Sequence, residues 1–243
     1  LVGGMAAGVH GPGSTRLLLD HRVVDRGAVG VVLGGPVGAQ AMVSQGCRPI
    51  GPAMTVTGAE GNLLLALAGM PAIQKLEQVM SSLSPEDQAL ASGGLQLGIA
   101  MDESVEEHER GDFLVRAILG LDRSRAAIAV GDVVPVGRTV RFQVRDAASA
   151  DDDLRAMLLA LRKEFSHVEG ALLFSCNGRG TNLFTSADHD VLAMRQGLST
   201  SGVAGFFASG EIGPVGGRNH LHGFSAAVLV FGSQRAQLAA RGA

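Results

Sequence analysis

Residues 170–180 read GALLFSCNGRG, and residues 204–223 read AGFFASGEIGPVGGRNHLHG. Each stretch opens with an apolar run typical of a buried strand and continues into a loop rich in glycine. Between them, residues 188–196 (DHDVLAMRQ) are typical of a helix that begins at the acidic residues. A strand, a helix and a second strand therefore follow one another in the C-terminal part of the chain. This order predicts a sheet layer covered by a helix layer.

The rest of the chain is rich in strand patterns with long helices inserted. Helices are predicted at 71–83, from 84 to about 92, and at 151–165, where three aspartates suit the start of the last one. Residues 27–33 (GAVGVVL) predict a buried strand, and residues 234–243 could add one turn of helix. The expected fold class is α/β (α+β), with mixed sheets covered by helices in two linked halves, as in a layered sandwich.

Composition narrows the function. The chain has 243 residues with a formal net charge of −3, so it carries no basic surface for nucleic acid or for an anionic membrane. Its apolar runs are too short to span a bilayer. Two cysteines cannot build a disulfide framework, and we expect both to be reduced in a cytoplasmic protein. We expect no cofactor.

Both cysteines follow predicted strands and precede an arginine. Cys47 stands in SQGCRPIGP (44–52) directly before Arg48, and Cys176 stands three residues before Arg179. A nearby guanidinium lowers the pKa of a thiol and would favour a reactive thiolate. Alternatively, both are small apolar residues at strand ends, which is the interpretation we favour.

The loop Asn177-Gly178-Arg179-Gly180 has the composition of a carboxylate site. A guanidinium matches a carboxylate, and glycines let backbone amides approach it. The loop lacks the Gly-Lys-Ser/Thr ending of a phosphate-binding P-loop. A tight turn carrying a solvated arginine explains it equally well.

The loop over residues 211–220 (EIGPVGGRNH) presents Glu211, Arg218 and His220 on a backbone prescribed by glycine and proline. Glu211 could meet an amino group while Arg179 meets a carboxylate, so that both ends of an amino acid are satisfied. The other residues expected at this ligand site are Cys47, Arg48, Cys176 and Arg218. An internal pair between Glu211 and Arg218 is the alternative.

The sequence contains residues that could act in catalysis or bind a metal, but their spacing matches no known catalytic or metal-binding motif. Cys176 could act as a nucleophile with His189, His220 or His222 as its base, yet the sequence does not tie these residues together. His220 and His222 would point to one face of a strand, but no third ligand supports a metal site. We expect neither a catalytic residue nor a bound metal.

Five segments in order resemble the FIST family of sensory domains: 44–52, 110–116, 136–146, 170–180 and 204–223. The resemblance implies that residues 1–70 are the later part of the FIST N-terminal domain, 71–94 a helical connection, and 95–243 the FIST C-terminal domain. It implies small-ligand sensing, with amino acids suggested, and a signalling partner or fused output domain. Relatives fused to an F-box imply the alternative of a protein-interaction module, with a cysteine-dependent acyl-transfer enzyme third.

Overall fold

The computed structural model describes residues 1–7, 14–105 and 107–235. The chain forms two compact units. Unit 1 combines residues 1–44 with the residues from 152 onward, and unit 2 contains residues 45–151. Helices and mixed sheets occur together, which confirms the predicted α+β class. The predicted division into three sequence segments stays a prediction.

In chain order, the strands of the described residues are β1 (Gly3–Ala6), β2 (Leu17–Leu19), β3 (Arg22–Val24), β4 (Ala39–Ser44), β5 (Cys47–Pro49), β6 (Met54–Glu60), β7 (Leu63–Leu67), β8 (Met70–Pro71), β9 (Leu95–Ala100), β10 (Phe113–Asp122), β11 (Ala127–Val130), β12 (Thr139–Arg145), β13 (Phe165–Cys176), β14 (Val203–Val215), β15 (Arg218–His222) and β16 (Ala226–Gln234). The helices are α1 (Ala72–Ser82), α2 (Pro85–Gly94), α3 (Ala147–Glu164) and α4 (His189–Leu198).

The main sheet of unit 1 has the strand order β1-β14-β13-β16-β4. Strand β15 pairs with the C-terminal residues 211–215 of β14. Strands β13 and β14 run parallel and are joined through α4, whereas the other neighbours are antiparallel. The buried stripe of α3 and one face of α4 pack on this sheet. Their core includes Leu154, Leu158, Leu161, Phe165, Met194, Leu198, Val228 and Val230.

Unit 2 is organised around a closed ring of strands. Its sheet runs β11-β10-β9-β12-β6-β7, and hydrogen bonding between β11 and β7 closes the ring. Helix α1 contacts β7 and β11, and its apolar side chains join the core of this unit. That core includes Val56, Leu64, Leu67, Ile73, Leu76, Leu97, Ile128, Val140 and Phe142.

Two local predictions were wrong. Residues 27–33 form no strand, and Val31 and Val32 are 85% and 97% exposed, because no neighbouring strand pairs with this apolar run. Helix α3 begins at Ala147 rather than at 151, because the Asp146 carboxylate accepts the backbone N–H of Ser149 and caps an earlier turn. The predicted helical turn at 234–243 cannot be compared beyond residue 235, where the described part of the chain ends. Gln234 is the last residue of β16.

Candidate functional site

The parallel pair β13 and β14 determines where a site can form in unit 1. Cys176 is the last residue of β13, and the chain then loops through residues 177–188 before α4 begins at His189. A cavity of about 320 Å³ lies at this crossover. Crevices at the carboxyl ends of parallel strands are a common place for ligands in α/β folds.

Arg179 is buried and paired with a carboxylate. Its Nε donates to Asp190 Oδ2 over 2.7 Å, and its Nη2 donates to Asp190 Oδ1 over 2.9 Å. Arg179 is only 1% exposed, so the interpretation of a solvated arginine in a tight turn is wrong. Burial opposes the ionisation of Asp190, but Arg179 outweighs it and lowers the pKa of Asp190 to about 2.

Further groups hold this ion pair in place. The hydroxyl of Ser175 donates to Asp190 Oδ2 over 2.7 Å, and His189 Nδ1 lies 3.0 Å from Asp190 Oδ1. The His189 ring stacks on Phe184 with 3.5 Å between centroids, and the Arg179 guanidinium lies 5.3 Å from the same phenyl ring. A connected hydrogen-bond network therefore holds the wall of the cavity beside Ser175 and His189.

Glu211 lies in β14 and is fully buried. Its Oε2 accepts the hydroxyl of Ser225 over 2.8 Å and the backbone N–H of Ser225 over 3.2 Å. Its Oε1 accepts no hydrogen bond from the part of the chain that the structure describes. Burial is the main reason that the pKa of Glu211 is raised to about 7.

The thiol of Cys176 neighbours this carboxyl group. Burial raises the pKa of Cys176, and the charge of Glu211 raises it further, although the backbone N–H of Gly178 contacts the sulfur over 3.4 Å. Cys176 is therefore a protonated thiol at neutral pH, which agrees with the interpretation of a buried strand-end residue. Two of the three histidines proposed as its base have other partners: His189 contacts Asp190, and His222 Nε2 lies 3.1 Å from the carbonyl of Gly213.

The remaining residues of the predicted loop shape its surface. The Asn177 carbonyl accepts a hydrogen bond from the Asn182 amide over 2.8 Å. Gly180 has a φ of +55°, and a Cβ there would come within 3.2 Å of the Phe207 ring. Gly180 and Phe207 line both the 320 Å³ cavity and a more open one of about 580 Å³, which Arg179 also lines.

The predicted residues Cys47 and Arg48 lie in unit 2. Arg48 pairs with Asp87 and, over 3.4 Å between Nε and Oδ2, with Asp146, and the contact with Asp87 raises its pKa. Cys47 is buried in β5. Arg218 is exposed in β15. Their predicted roles in ligand binding stay predictions.

His220 and His222 share one side of β15, with ring centroids 5.9 Å apart. The described residues contain no group of three side chains suited to a metal ion.

Sequence reasoning missed Asp190, Ser175 and Ser225. Asp190 was assigned only to the start of a helix, because its spacing from Arg179 carries no recognised motif. A buried arginine needs a carboxylate, so the acidic start of α4 was the available signal.

Sequence comparison assigns the chain to a known family of domains. The FIST N domain matches residues 1–70, and the FIST C domain matches residues 72–214. The chain belongs to the FIST family, whose members are sensory domains of signal-transduction proteins.

The curated relatives are uncharacterized. Protein Mb0898c of Mycobacterium bovis is 49% identical over 232 residues, and protein Rv0628c of Mycobacterium tuberculosis is 46% identical over 235 residues. Each match covers 95% of this chain and 60% of the relative, so the chain spans less than two thirds of their length.

None of the helices in the described ranges combines the length and apolar character that crossing a bilayer requires.

Proposed function

We propose that this chain is a cytoplasmic small-ligand sensor, and that an amino-acid-like molecule binds to unit 1 at the crossover between β13 and β14. The observation that carries the proposal is the 320 Å³ cavity at this crossover. Its walls combine apolar residues such as Leu173 and Val203 with the polar Ser175 and His189. A mostly apolar pocket with a few fixed polar groups is the usual form of a small-molecule site.

Two buried charged side chains of unit 1 favour a zwitterion: Arg179 lines the 580 Å³ cavity, which shares Gly180 and Phe207 with the 320 Å³ cavity, and Glu211 lies beside Cys176 at the end of β13. Arg179 Nη1 and Glu211 Oε1 are both buried, and neither forms a hydrogen bond with the described residues. A buried polar atom without a partner is rare and calls for one. A ligand carboxylate at Arg179 and an ammonium at Glu211 would satisfy both atoms. In this proposal Asn177, Gly178 and Gly180 form the mouth of the site.

A thermal-shift screen of the twenty common L-amino acids tests this proposal. A ligand present at a hundred times its Kd should add roughly 2.7 kcal/mol to the free energy of unfolding. Ala204 lines the cavity from an exposed position in β14, so Ala204→Trp should fill the cavity and abolish the shift while sparing the fold.

The matched control is Ala160→Trp, at an exposed position of α3 outside the cavity. It should keep the full ligand response. If Ala204→Trp and Ala160→Trp respond alike to a stabilising amino acid, the ligand does not use this cavity.

Protein recognition is the second candidate, and one observation favours it. Val31, Val32 and Leu33 are strongly exposed in a run without strand pairing, and contiguous exposed apolar residues often mark protein-binding surfaces. Val32→Asp should leave the amino-acid response unchanged and remove binding of a partner protein if this candidate is right.

We further propose that the chain is not an enzyme, because Cys176 is a buried, protonated thiol.

A further inference from the structure

The buried charges of unit 1 do not balance. Arg179 is bonded to Asp190 and its charge also acts on Glu211, and each of the three is at most 5% exposed. One cation thus serves two carboxyl groups. An unpaired carboxylate is strongly disfavoured in a protein interior, so either a proton or a second cationic group must neutralise it.

Geometry decides which carboxyl group is left unpaired. Asp190 receives two guanidinium hydrogen bonds, the hydroxyl of Ser175 and a contact from His189. Glu211 receives the two donors of Ser225, both on Oε2, and the weakly donating Cys176 thiol, and it feels Arg179 at longer range. Glu211 is therefore the group that lacks a positive charge.

Among the described residues, the other elements around Glu211 supply no lysine or arginine. Strand β13 contributes the Cys176 thiol, which is a weak donor. Strand β1 places Gly4 opposite Glu211, and β15 places His222 opposite it. The His222 imidazole is a titratable group of the described residues that faces Glu211, and its Nε2 lies 3.1 Å from the carbonyl of Gly213.

We infer that Glu211 is a proton–ammonium exchange site: its carboxyl group holds a proton in the empty protein and releases it when a primary ammonium group enters. This inference rests on the proposed function and names the part of the ligand that the site selects. The ammonium would donate to Oε1, which accepts no hydrogen bond from the described residues, and its charge would replace that of the proton. Binding therefore requires an ionised Glu211 and weakens in acid.

Infrared difference spectroscopy of the full chain between about pH 5.5 and 8.5 tests the proton site without any ligand. The wild-type protein should show a buried carboxylic acid C=O band that disappears as the pH rises. Glu211→Gln should lack this band. Glu169→Gln, a matched change at an exposed position of β13, should keep it. Absence of the band from the wild-type spectrum would overturn the inference.

Calorimetry tests the exchange. Each L-amino acid that stabilises the protein in the thermal-shift screen is titrated at pH 6.5 and 8.5, in two buffers that differ in ionisation enthalpy. We expect release of roughly 0.5–1 proton per ligand at pH 6.5 and almost none at pH 8.5. The 2-hydroxy acid with the same carbon skeleton should bind at least about 10-fold more weakly, because it carries no cation.

The outcomes separate the two claims. Amino-acid binding without proton release, or equal binding of the hydroxy acid, would overturn the exchange and leave the proposed function standing. A screen in which no amino acid binds would overturn the proposed function and the ammonium half of the inference together.

Discussion

The buried ion pair between Arg179 and Asp190 shows how one residue acquires its role from its surroundings. Arg179 follows Cys176 in a glycine-rich loop, yet its guanidinium turns inward and meets the first turn of α4. A buried ion pair is weak evidence for net stability, but removal of one partner leaves the other charge stranded. The pair therefore positions Ser175 and His189 at the cavity wall, and it cannot be broken cheaply.

Arg179→Ala should lower the free energy of unfolding by about 3–5 kcal/mol, because Asp190 would stay buried without its cation. A solvated arginine in a tight turn would allow this change without loss of stability, whereas the buried pair does not. Urea denaturation measures the effect. Arg195→Ala, at an exposed position of α4, is the control and should change stability by less than about 0.5 kcal/mol. A similar loss in both variants would mean that the pair is not what matters.

Glu211 and Asp190 should affect the pH dependence of stability in opposite directions, because folding raises the pKa of Glu211 and lowers that of Asp190. The folded pKa is about 7 and the ordinary value is 4.5, so between these values the unfolded chain releases a proton that the folded chain keeps. The free energy of unfolding should therefore fall as pH rises from about 5 to 8, by roughly 3 kcal/mol at most.

Glu211→Gln should flatten this decline, which denaturation at several pH values would reveal, whereas Glu169→Gln should retain it. A decline of the same size in Glu211→Gln would assign the pH dependence to another group.

At the scale of elements, the parallel contact between β13 and β14 builds the site. Leu173 and Gly205 are register partners in this pair. Gly205 has a φ of +154°, and a Cβ there would lie 1.8 Å from the carbonyl oxygen of Leu173. The absence of a side chain at this position is what lets the two strands approach, and the cavity lies on the same stretch of β14.

Gly205→Ala should cost about 1–3 kcal/mol of stability and also weaken ligand binding, since the strands must separate to admit the methyl group. The matched control is Gly120→Ala in β10, where a Cβ would meet no atom within 4 Å. Thermal unfolding of the two variants should differ clearly. If Gly205→Ala melts with the wild-type protein, the close approach of the strands is not required.

At the scale of the whole molecule, the chain has two cores with different connectivity. Unit 2 is continuous in sequence and its ring of strands has no open edge between β7 and β11, whereas unit 1 is assembled from two distant segments. Contacts between distant segments carry a larger loop-closure cost. Each unit contains one buried cysteine, Cys47 in unit 2 and Cys176 in unit 1.

The two thiols should therefore report on the two units separately. We expect two free thiols in strong denaturant and slow labelling of both in buffer. As urea is increased, Cys176 should become reactive at a lower concentration than Cys47. The single variants Cys47→Ser and Cys176→Ser identify which thiol reacts. Simultaneous exposure of both thiols would show that the units unfold as one, and a count below two would contradict the expected reduced state.

The sequence by itself determined several helices and the family. The apolar spacing of α1 and the start of α2 at Ser84, whose hydroxyl accepts the N–H of Asp87, follow from local rules and are confirmed. The FIST resemblance is confirmed as well, since it rests on long stretches in a fixed order. The sequence also indicated the loop at 177–180 as unusual. The loop predicted at 211–220 was wrong, because these residues pair as the hairpin of β14 and β15.

Only the tertiary structure decided what those segments do. It paired Arg179 with Asp190, buried Glu211 beside Ser225, and closed the strands of unit 2 into a ring. It also left the apolar residues 27–33 without strand partners, against their local pattern. Such outcomes depend on which distant segments exclude water from one another. Burial is what shifts a pKa and makes a charge need a partner, and no local pattern encodes it.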